Sequence, residues 1–97
     1  MTRNEHRGPA PKTEPVLRVF NDIDRYIGRR LRDIRVRRRV RRAQLADYLS
    51  ITVERLKEYE SGARAISAGL LAKIIEYFRV PAGYFYDGIA DVMPRNA

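Results

Sequence analysis

The spacing of apolar residues after position 22 is the feature that most restricts the possible folds of this chain. Four of them recur three or four positions apart, which places them on one face of a helix: Ile23, Ile27, Leu31 and Ile34. This spacing predicts a first helix from about residue 23 to about residue 38, with N-cap candidates at Asn21, Asp22 and Asp24. No segment alternates apolar and polar residues convincingly, so the sequence predicts an all-α fold.

Capping residues divide the following part of the chain into four shorter helices. Thr52 and Ser67 are N-cap candidates, and Gly62 is suited to end a helix in a left-handed conformation. Pro81 suits the first position of a short last helix that holds Tyr84 and Phe85. The predicted helices after the first therefore cover residues 41–49, Val53–Ser61, Ala68–Phe78 and a short segment after Pro81.

The two ends of the chain are predicted to lie outside the helical body, which covers residues 22–88. Residues 1–15 combine three prolines with polar side chains and indicate a disordered tail. The apolar segment VLRVF, residues 16–20, fits either a strand-like arm or a segment that packs back on the core. Residues 89–97 are predicted to form a C-terminal tail.

Composition favours an intracellular protein without catalytic or metal chemistry. The chain has 97 residues and no cysteine, which excludes disulfides and thiolate metal sites and fits a reducing compartment. It has no run of about 18 apolar residues that would span a membrane, and its N-terminus does not resemble a signal peptide. His6 is the only histidine and lies in the predicted tail. We therefore expect no enzyme, no cofactor, no metal and no small-molecule ligand.

Positive charge is concentrated in the first half of the chain. Residues 1–42 contain 14 Lys and Arg against 5 Asp and Glu, a balance of +9, and residues 43–97 contain 6 against 7, a balance of −1; the sum is the net charge of +8. Nine of the fourteen residues at 29–42 are arginine. Such a run indicates a polyanionic partner, with the phosphates of DNA or RNA as the first candidate and an anionic membrane surface as the second.

The segment RRAQLADYLSITVERLKEYESGARAIS resembles the helix-turn-helix of the Cro/C1-type (XRE) DNA-binding regulators. The matching pattern consists of the pair Leu45-Ala46, a turn ending at the Thr52 cap, the buried aliphatic Leu56, and the run Tyr59-Glu60-Ser61-Gly62. The similarity extends over roughly residues 22–88. It implies a five-helix, lambda-repressor-like domain that places a recognition helix, residues 53–61, in the major groove of double-stranded DNA.

The resemblance and the arginine run together suggest a role for each of several side chains. Positions that read bases in relatives correspond to Val53, Glu54, Lys57 and Glu58. Phosphate contacts are expected from Arg42 and Arg64 by correspondence, and from other residues near the helix termini: Arg38, Arg39, Arg41, Thr52 and Arg55. A structural ion pair of relatives corresponds to Arg35 and Glu60. Relatives usually have glycine at the position of Arg39 and often at that of Ser50.

The acidic residues of the recognition helix leave alternatives open. Glu54 or Glu58 could accept a hydrogen bond from a cytosine amino group, but Glu54 near the helix N-terminus is also explained by the helix dipole alone. The expected function is sequence-specific binding of double-stranded DNA by a small transcriptional regulator. The rivals are a protein-interaction module built on the same fold and non-specific nucleic-acid binding through the arginines.

A homodimer is expected, because one short recognition helix reads few base pairs and two copies would bind half-sites about 10 base pairs apart. The sequence offers two candidate interfaces without deciding between them. One is the VLRVF arm, and the other is the aromatic C-terminal end with its neighbours: Tyr84, Phe85, Tyr86, Ile89 and Val92.

Overall fold

Within residues 9–91, four α-helices and two 3₁₀ helices follow one another with short connections. The computed structural model describes residues 9–91, and it describes side chains from residue 21 onward. The α-helices are α1 (Pro9–Arg37), α2 (Arg42–Leu49), α3 (Val53–Ser61) and α4 (Ala68–Phe78), and the 3₁₀ helices are Ala82–Phe85 and Ile89–Asp91. No strand occurs within residues 9–91, so the all-α prediction is confirmed. The predicted fifth helix is a 3₁₀ helix.

The start of α1 differs from the prediction. This helix begins at Pro9, so its predicted start near residue 23 is wrong, and residues 9–20 belong to the helix. The three N-cap candidates at residues 21–24 lie inside the helix. Pro9 and Pro11 fall in the first turn, where backbone N–H groups have no intrahelical acceptor, so only Pro15 removes a helical hydrogen bond. Residues 1–8 of the predicted tail and residues 92–97 of the C-terminal tail lie outside the described part.

One apolar core joins α1 to every later α-helix. The most deeply buried large side chains, each with 0% exposure, come from all four α-helices and the first 3₁₀ helix: Leu31, Leu45, Leu56, Ile74 and Phe85. The inward-facing residues predicted for α2 and α3 are buried as expected. Ile27, by contrast, is only half-buried at the edge of the core.

Gly28 allows α1 and α3 to approach each other closely. A Cβ atom at this position would lie 2.3 Å from the carbonyl oxygen of Tyr59 and 2.8 Å from that of Glu60. Both neighbours are backbone atoms near the C-terminal end of α3, so they cannot move aside as a flexible side chain would. The crossing of α1 and α3 therefore requires glycine.

Three helix ends use the predicted caps Thr52, Gly62 and Ser67, and three others lack the glycine that their conformation favours. Thr52 Oγ1 accepts a hydrogen bond from the Arg55 N–H at 3.0 Å, and Gly62 is left-handed with φ of 84°. The helices α1, α2 and α4 are each followed by a left-handed residue other than glycine, with φ of 58°, 59° and 55°: Arg39, Ser50 and Arg79. This conformation is unfavourable for residues with a Cβ.

The first 3₁₀ helix, Ala82–Phe85, is held to α1 by Arg30. Its guanidinium donates to the Tyr84 carbonyl oxygen through Nε at 2.9 Å and Nη2 at 2.6 Å, and it lies 4.0 Å from the centre of the Tyr84 ring. The Tyr84 hydroxyl donates in return to the Arg30 carbonyl at 3.4 Å. One member of the arginine run is therefore structural, and Tyr84 is half-buried within this chain.

Candidate nucleic-acid interface

The turn between α2 and α3 sets the angle between these two helices. Ser50 is left-handed with φ of 59° and ψ of 43°, and the Ile51 N–H donates to the Ala46 carbonyl at 3.0 Å. Ala46, Leu49 and Leu56 fill the space between the helices and are at most 3% exposed. The turn and this packing together fix α3 at an angle to α2, as in a helix-turn-helix.

The outward face of α3 is open to solvent within the described part of the molecule. Leu56, Tyr59 and Glu60 are the buried residues of this helix. On the other side lie exposed and half-buried residues, among them the four predicted to read bases: Val53, Glu54, Lys57 and Glu58. These four occur at positions i, i+1, i+4 and i+5, which share one side of a helix. The structure therefore brings these four side chains together on the outward side of α3, and Val53 also packs partly against the core.

Glu60 connects α3 to both preceding helices. Arg35 of α1 donates to its carboxylate through Nε at 2.6 Å and Nη2 at 3.2 Å, which forms the expected ion pair. Arg42 of α2 donates to the same carboxylate through Nε at 3.0 Å. The side chains of Glu60 and Arg35 are only 3% and 8% exposed. Arg35 also donates through Nη1 to the Val40 carbonyl at 2.9 Å, so three guanidinium hydrogen bonds are satisfied.

The four predicted phosphate-binding arginines at the junction of α1 and α2 divide into two groups. Arg38 donates to the Phe78 carbonyl at the end of α4 at 2.9 Å, and Arg42 is bound to Glu60, so both already serve the fold. Arg39 and Arg41 are exposed and have no carboxylate partner within residues 21–91. The latter two guanidinium groups lie on the connection between α1 and α2, where they are available to an anion.

Glu58 is paired with arginines that were expected to bind phosphate. Arg64 donates to Glu58 Oε1 through Nε at 2.8 Å, and Arg55 Nε lies 3.5 Å from the same oxygen. The hydrogen bond from Arg64 is the main cause that lowers the pKa of Glu58, and it raises the pKa of Arg64. At neutral pH the carboxylate is therefore charged and its charge is balanced locally.

Comparison with known proteins assigns the fold to a family. Residues 31–85, more than half of the chain, match the sequence profile described as helix-turn-helix. The chain belongs to the Cro/C1-type (XRE) helix-turn-helix family. The matched region contains α2, α3 and α4 completely, together with the C-terminal part of α1. It thus includes every helix-turn-helix residue discussed above.

Curated relatives of this helix-turn-helix chain are named as regulators. It is 31% identical over 71 residues to an uncharacterized HTH-type transcriptional regulator of Sinorhizobium fredii, a match that covers 73% of this chain and 50% of the relative. It is 30% identical over 73 residues to an uncharacterized HTH-type transcriptional regulator of Rickettsia conorii, a match that covers 75% of this chain and 58% of the relative. An uncharacterized transcriptional regulator in the ATPase CF(0) region of Rhodospirillum rubrum is 28% identical over 83 residues, with 86% and 77% covered. The chain thus spans little more than half the length of the first two relatives.

Three contacts of the helix-turn-helix were not predicted from the sequence. These are the second arginine on Glu60, the bond from Arg38 to the end of α4, and the pair between Glu58 and Arg64. The pair between Glu58 and Arg64 was partly indicated by the sequence, because Gly62 ends α3 and turns the residues that follow back toward Glu58. The other two join residues 18 and 40 positions apart, for which local spacing gives no indication.

None of the helices in the described part of the chain is both long and apolar enough to cross a bilayer.

Proposed function

We propose that this chain is a sequence-specific regulator of transcription that inserts α3 into the major groove of double-stranded DNA. The observation that carries the proposal is the division of α3 into two faces. Leu56, Tyr59 and Glu60 fix the helix to the body, while the opposite face presents side chains that can reach base edges. Membership of the helix-turn-helix family and the names of the relatives support the same function.

Base reading is assigned to the outward residues of α3. Lys57 is an exposed donor suited to the acceptors of guanine, and Glu54 or Glu58 can accept from the amino group of cytosine. Val53 at the start of the helix offers an apolar contact for a thymine methyl group. These four side chains differ in chemistry, so together they discriminate between base pairs better than a uniform basic surface would.

Phosphate contacts are assigned to residues that surround α3. Arg39 and Arg41 lie on the α1–α2 connection, Arg42 begins α2 and Arg64 follows α3. Thr52 caps α3, where backbone N–H groups and the helix dipole favour an anion. Arg55, in the first turn of the same helix, adds a further guanidinium. These contacts would supply affinity without sequence preference.

Two copies of the chain are proposed to bind together. A single α3 of nine residues contacts only a few base pairs, and a dimer with half-sites about 10 base pairs apart doubles the number read. The VLRVF segment and the C-terminal end remain the two candidate interfaces, but Phe85 of the second is buried in the core of its own chain. Tyr86, which is 46% exposed, belongs to the second.

Selection of bound sites from random double-stranded DNA tests this function. A specific regulator enriches one motif, and two enriched halves about 10 base pairs apart would support the dimer. The enriched site and a scrambled version are then titrated at several salt concentrations. A regulator keeps its preference at moderate salt, whereas a polycation is released from both DNAs together. No enrichment and no binding would favour the protein-interaction module.

Arginine substitutions test the assigned phosphate contacts. Arg42→Ala and Arg64→Ala should each weaken binding to the selected and the scrambled site about equally and reduce the salt slope by about one unit. Lys73→Ala removes the same charge from α4 and is the matched control, with an expected change in slope well below one unit. A slope that stays constant in an arginine variant would exclude that residue from phosphate contact.

A further inference from the structure

Two glutamates of α3 hold arginines of the neighbouring segments in the same way. Glu60 Oε1 accepts from Nε of Arg42 at 3.0 Å, and Glu58 Oε1 accepts from Nε of Arg64 at 2.8 Å. In both pairs the bond uses Nε alone. The two Nη groups of Arg42 and of Arg64 have no hydrogen-bond partner within residues 21–91, and these side chains are 34% and 47% exposed.

The backbone around Glu58 also fixes the position of Arg64. The N–H groups of Ala63 and Arg64 both donate to the Glu58 carbonyl, at 3.0 and 3.3 Å, and the Ser61 hydroxyl donates to it at 3.1 Å. Gly62, left-handed with φ of 84°, makes this reversal of the chain possible. Arg64 is thus attached to Glu58 through both its main chain and its side chain.

A guanidinium held in this way is prepared to bind an anion. An arginine carries five N–H donors in a planar group, so one edge can bind a carboxylate while the Nη groups bind a phosphate. An arginine that is already ordered loses less side-chain entropy on binding than a freely rotating one. The carboxylate thereby favours DNA binding even though its own charge opposes it.

We propose that Glu58 is a positioning residue that orders Arg64 for contact with a DNA phosphate. This inference rests on the proposed function and specifies how one side of the DNA-binding surface is built. It also gives a reason for the presence of Glu58 on α3 in a chain with a net charge of +8. Glu60 has the same geometry toward Arg42, but its burial makes it a structural residue as well, so Glu58 allows the cleaner test.

The inference and simple electrostatics predict opposite signs for the effect of Glu58→Gln on the loss of DNA affinity caused by Arg64→Ala. If Glu58 only neutralises Arg64, then Glu58→Gln releases the guanidinium, and Arg64→Ala becomes more costly in that variant. If Glu58 orders Arg64, then Arg64→Ala becomes less costly in that variant, because the neutral amide oxygen of glutamine holds the guanidinium less firmly than the carboxylate does. The cost of Arg64→Ala in the unmodified chain minus its cost in the Glu58→Gln variant is the coupling between the two residues in DNA binding.

A double-mutant cycle measures this coupling. The dissociation constants of the full chain, E58Q, R64A and the double variant are determined at one salt concentration, on the selected site and on scrambled DNA. We expect R64A to cost about twofold to tenfold less in the E58Q background, on both DNAs. E54Q combined with R64A is the matched control, because it removes a carboxylate from the same helix, and we expect the cost of R64A to be unchanged there.

Thermal melting separates a role in DNA binding from a role in folding. Glu58 is 45% exposed, so E58Q should melt close to the unmodified chain and the coupling should appear only with DNA. The inference is overturned if R64A costs as much affinity in E58Q as in the unmodified chain, or more. It is also overturned if E58Q changes which DNA sequence is preferred while the cost of R64A stays the same. If the unmodified chain binds selected and scrambled DNA equally, the proposed sequence-specific regulation is contradicted. The double-mutant cycle on scrambled DNA then still tests whether Glu58 orders Arg64.

Discussion

Replacement of Glu60 by alanine should destabilise the fold strongly. This carboxylate is 3% exposed and receives hydrogen bonds from Arg35 on α1 and Arg42 on α2. In Glu60→Ala, Arg35 stays in an environment where its side chain is 8% exposed, but it keeps only its bond to the Val40 carbonyl. A buried charge that loses its partner is far more unfavourable than the intact pair is favourable.

The expected size follows from this burial. Removal of one partner from a buried ion pair costs about 3–5 kcal/mol. For a domain of this length, 1 kcal/mol corresponds to about 4–8 °C in Tm, so the lower bound predicts a fall of about 12 °C or more. This is a large part of the about 5–15 kcal/mol by which small proteins are stable.

Circular dichroism during heating and urea titration, without DNA, measures the effect. Glu54→Ala is the matched control on the same helix, because its side chain is exposed, and it should change stability by less than about 0.5 kcal/mol. The double variant Arg35→Met/Glu60→Leu removes both buried charges and should recover much of the loss, because apolar pairs can replace buried ion pairs. Arg42, which is 34% exposed, can then turn to solvent.

A small effect would refute the reasoning. If Glu60→Ala loses less than about 1 kcal/mol, the value typical of an exposed pair, then the carboxylate does not hold the three helices together. If the double variant is no more stable than the single one, the cost arises from lost packing and not from an unpaired arginine.

Three further predictions concern the packing and charge around α3. Gly28→Ala should cost about 1–3 kcal/mol or more in urea titration, because its Cβ would lie 2.3 Å from the Tyr59 carbonyl oxygen; an unchanged midpoint would contradict the close crossing. Ser50→Gly should raise the free energy of unfolding by about 0.5–1 kcal/mol, because φ is 59° there, and a lower melting temperature would contradict this strain. NMR titration should show the pKa of Glu58 below its usual value of 4.5, returning toward it in Arg64→Ala. Since that pKa is lowered by folding, the contribution of the pair is present at neutral pH and is lost as pH falls through the lowered pKa.

The helices after α1 were predictable because their determinants are local. Thr52, Gly62 and Ser67 mark helix ends through their own side chains or backbone freedom, and the apolar spacing between them defines the buried faces. The start of α1 was not predicted, because a segment rich in proline and polar residues usually indicates disorder, whereas Pro9 and Pro11 lie in a first helical turn, where prolines are tolerated. Helical periodicity thus located the core better than it located this boundary.

The surface of the candidate site was predictable, but its internal contacts were not. The spacing of Leu56 and Tyr59 indicates which side of α3 faces outward. The pairing of Glu58 with Arg64, by contrast, depends on side-chain rotamers and on how the chain reverses after α3. The need for glycine at residue 28 depends on the distance between two helices, which no single segment encodes.

The division of α3 into a buried and an outward face affects how such a protein can evolve. Leu56, Tyr59 and Glu60 are its three buried residues, out of nine. Val53 also packs against the core, but substitutions at exposed positions such as Glu54 and Lys57 should change folding little, so a duplicated gene can accumulate them while its product still folds. If α3 reads DNA as proposed, a lineage can in this way change the sequence it recognises through a few surface substitutions, with the scaffold inherited intact.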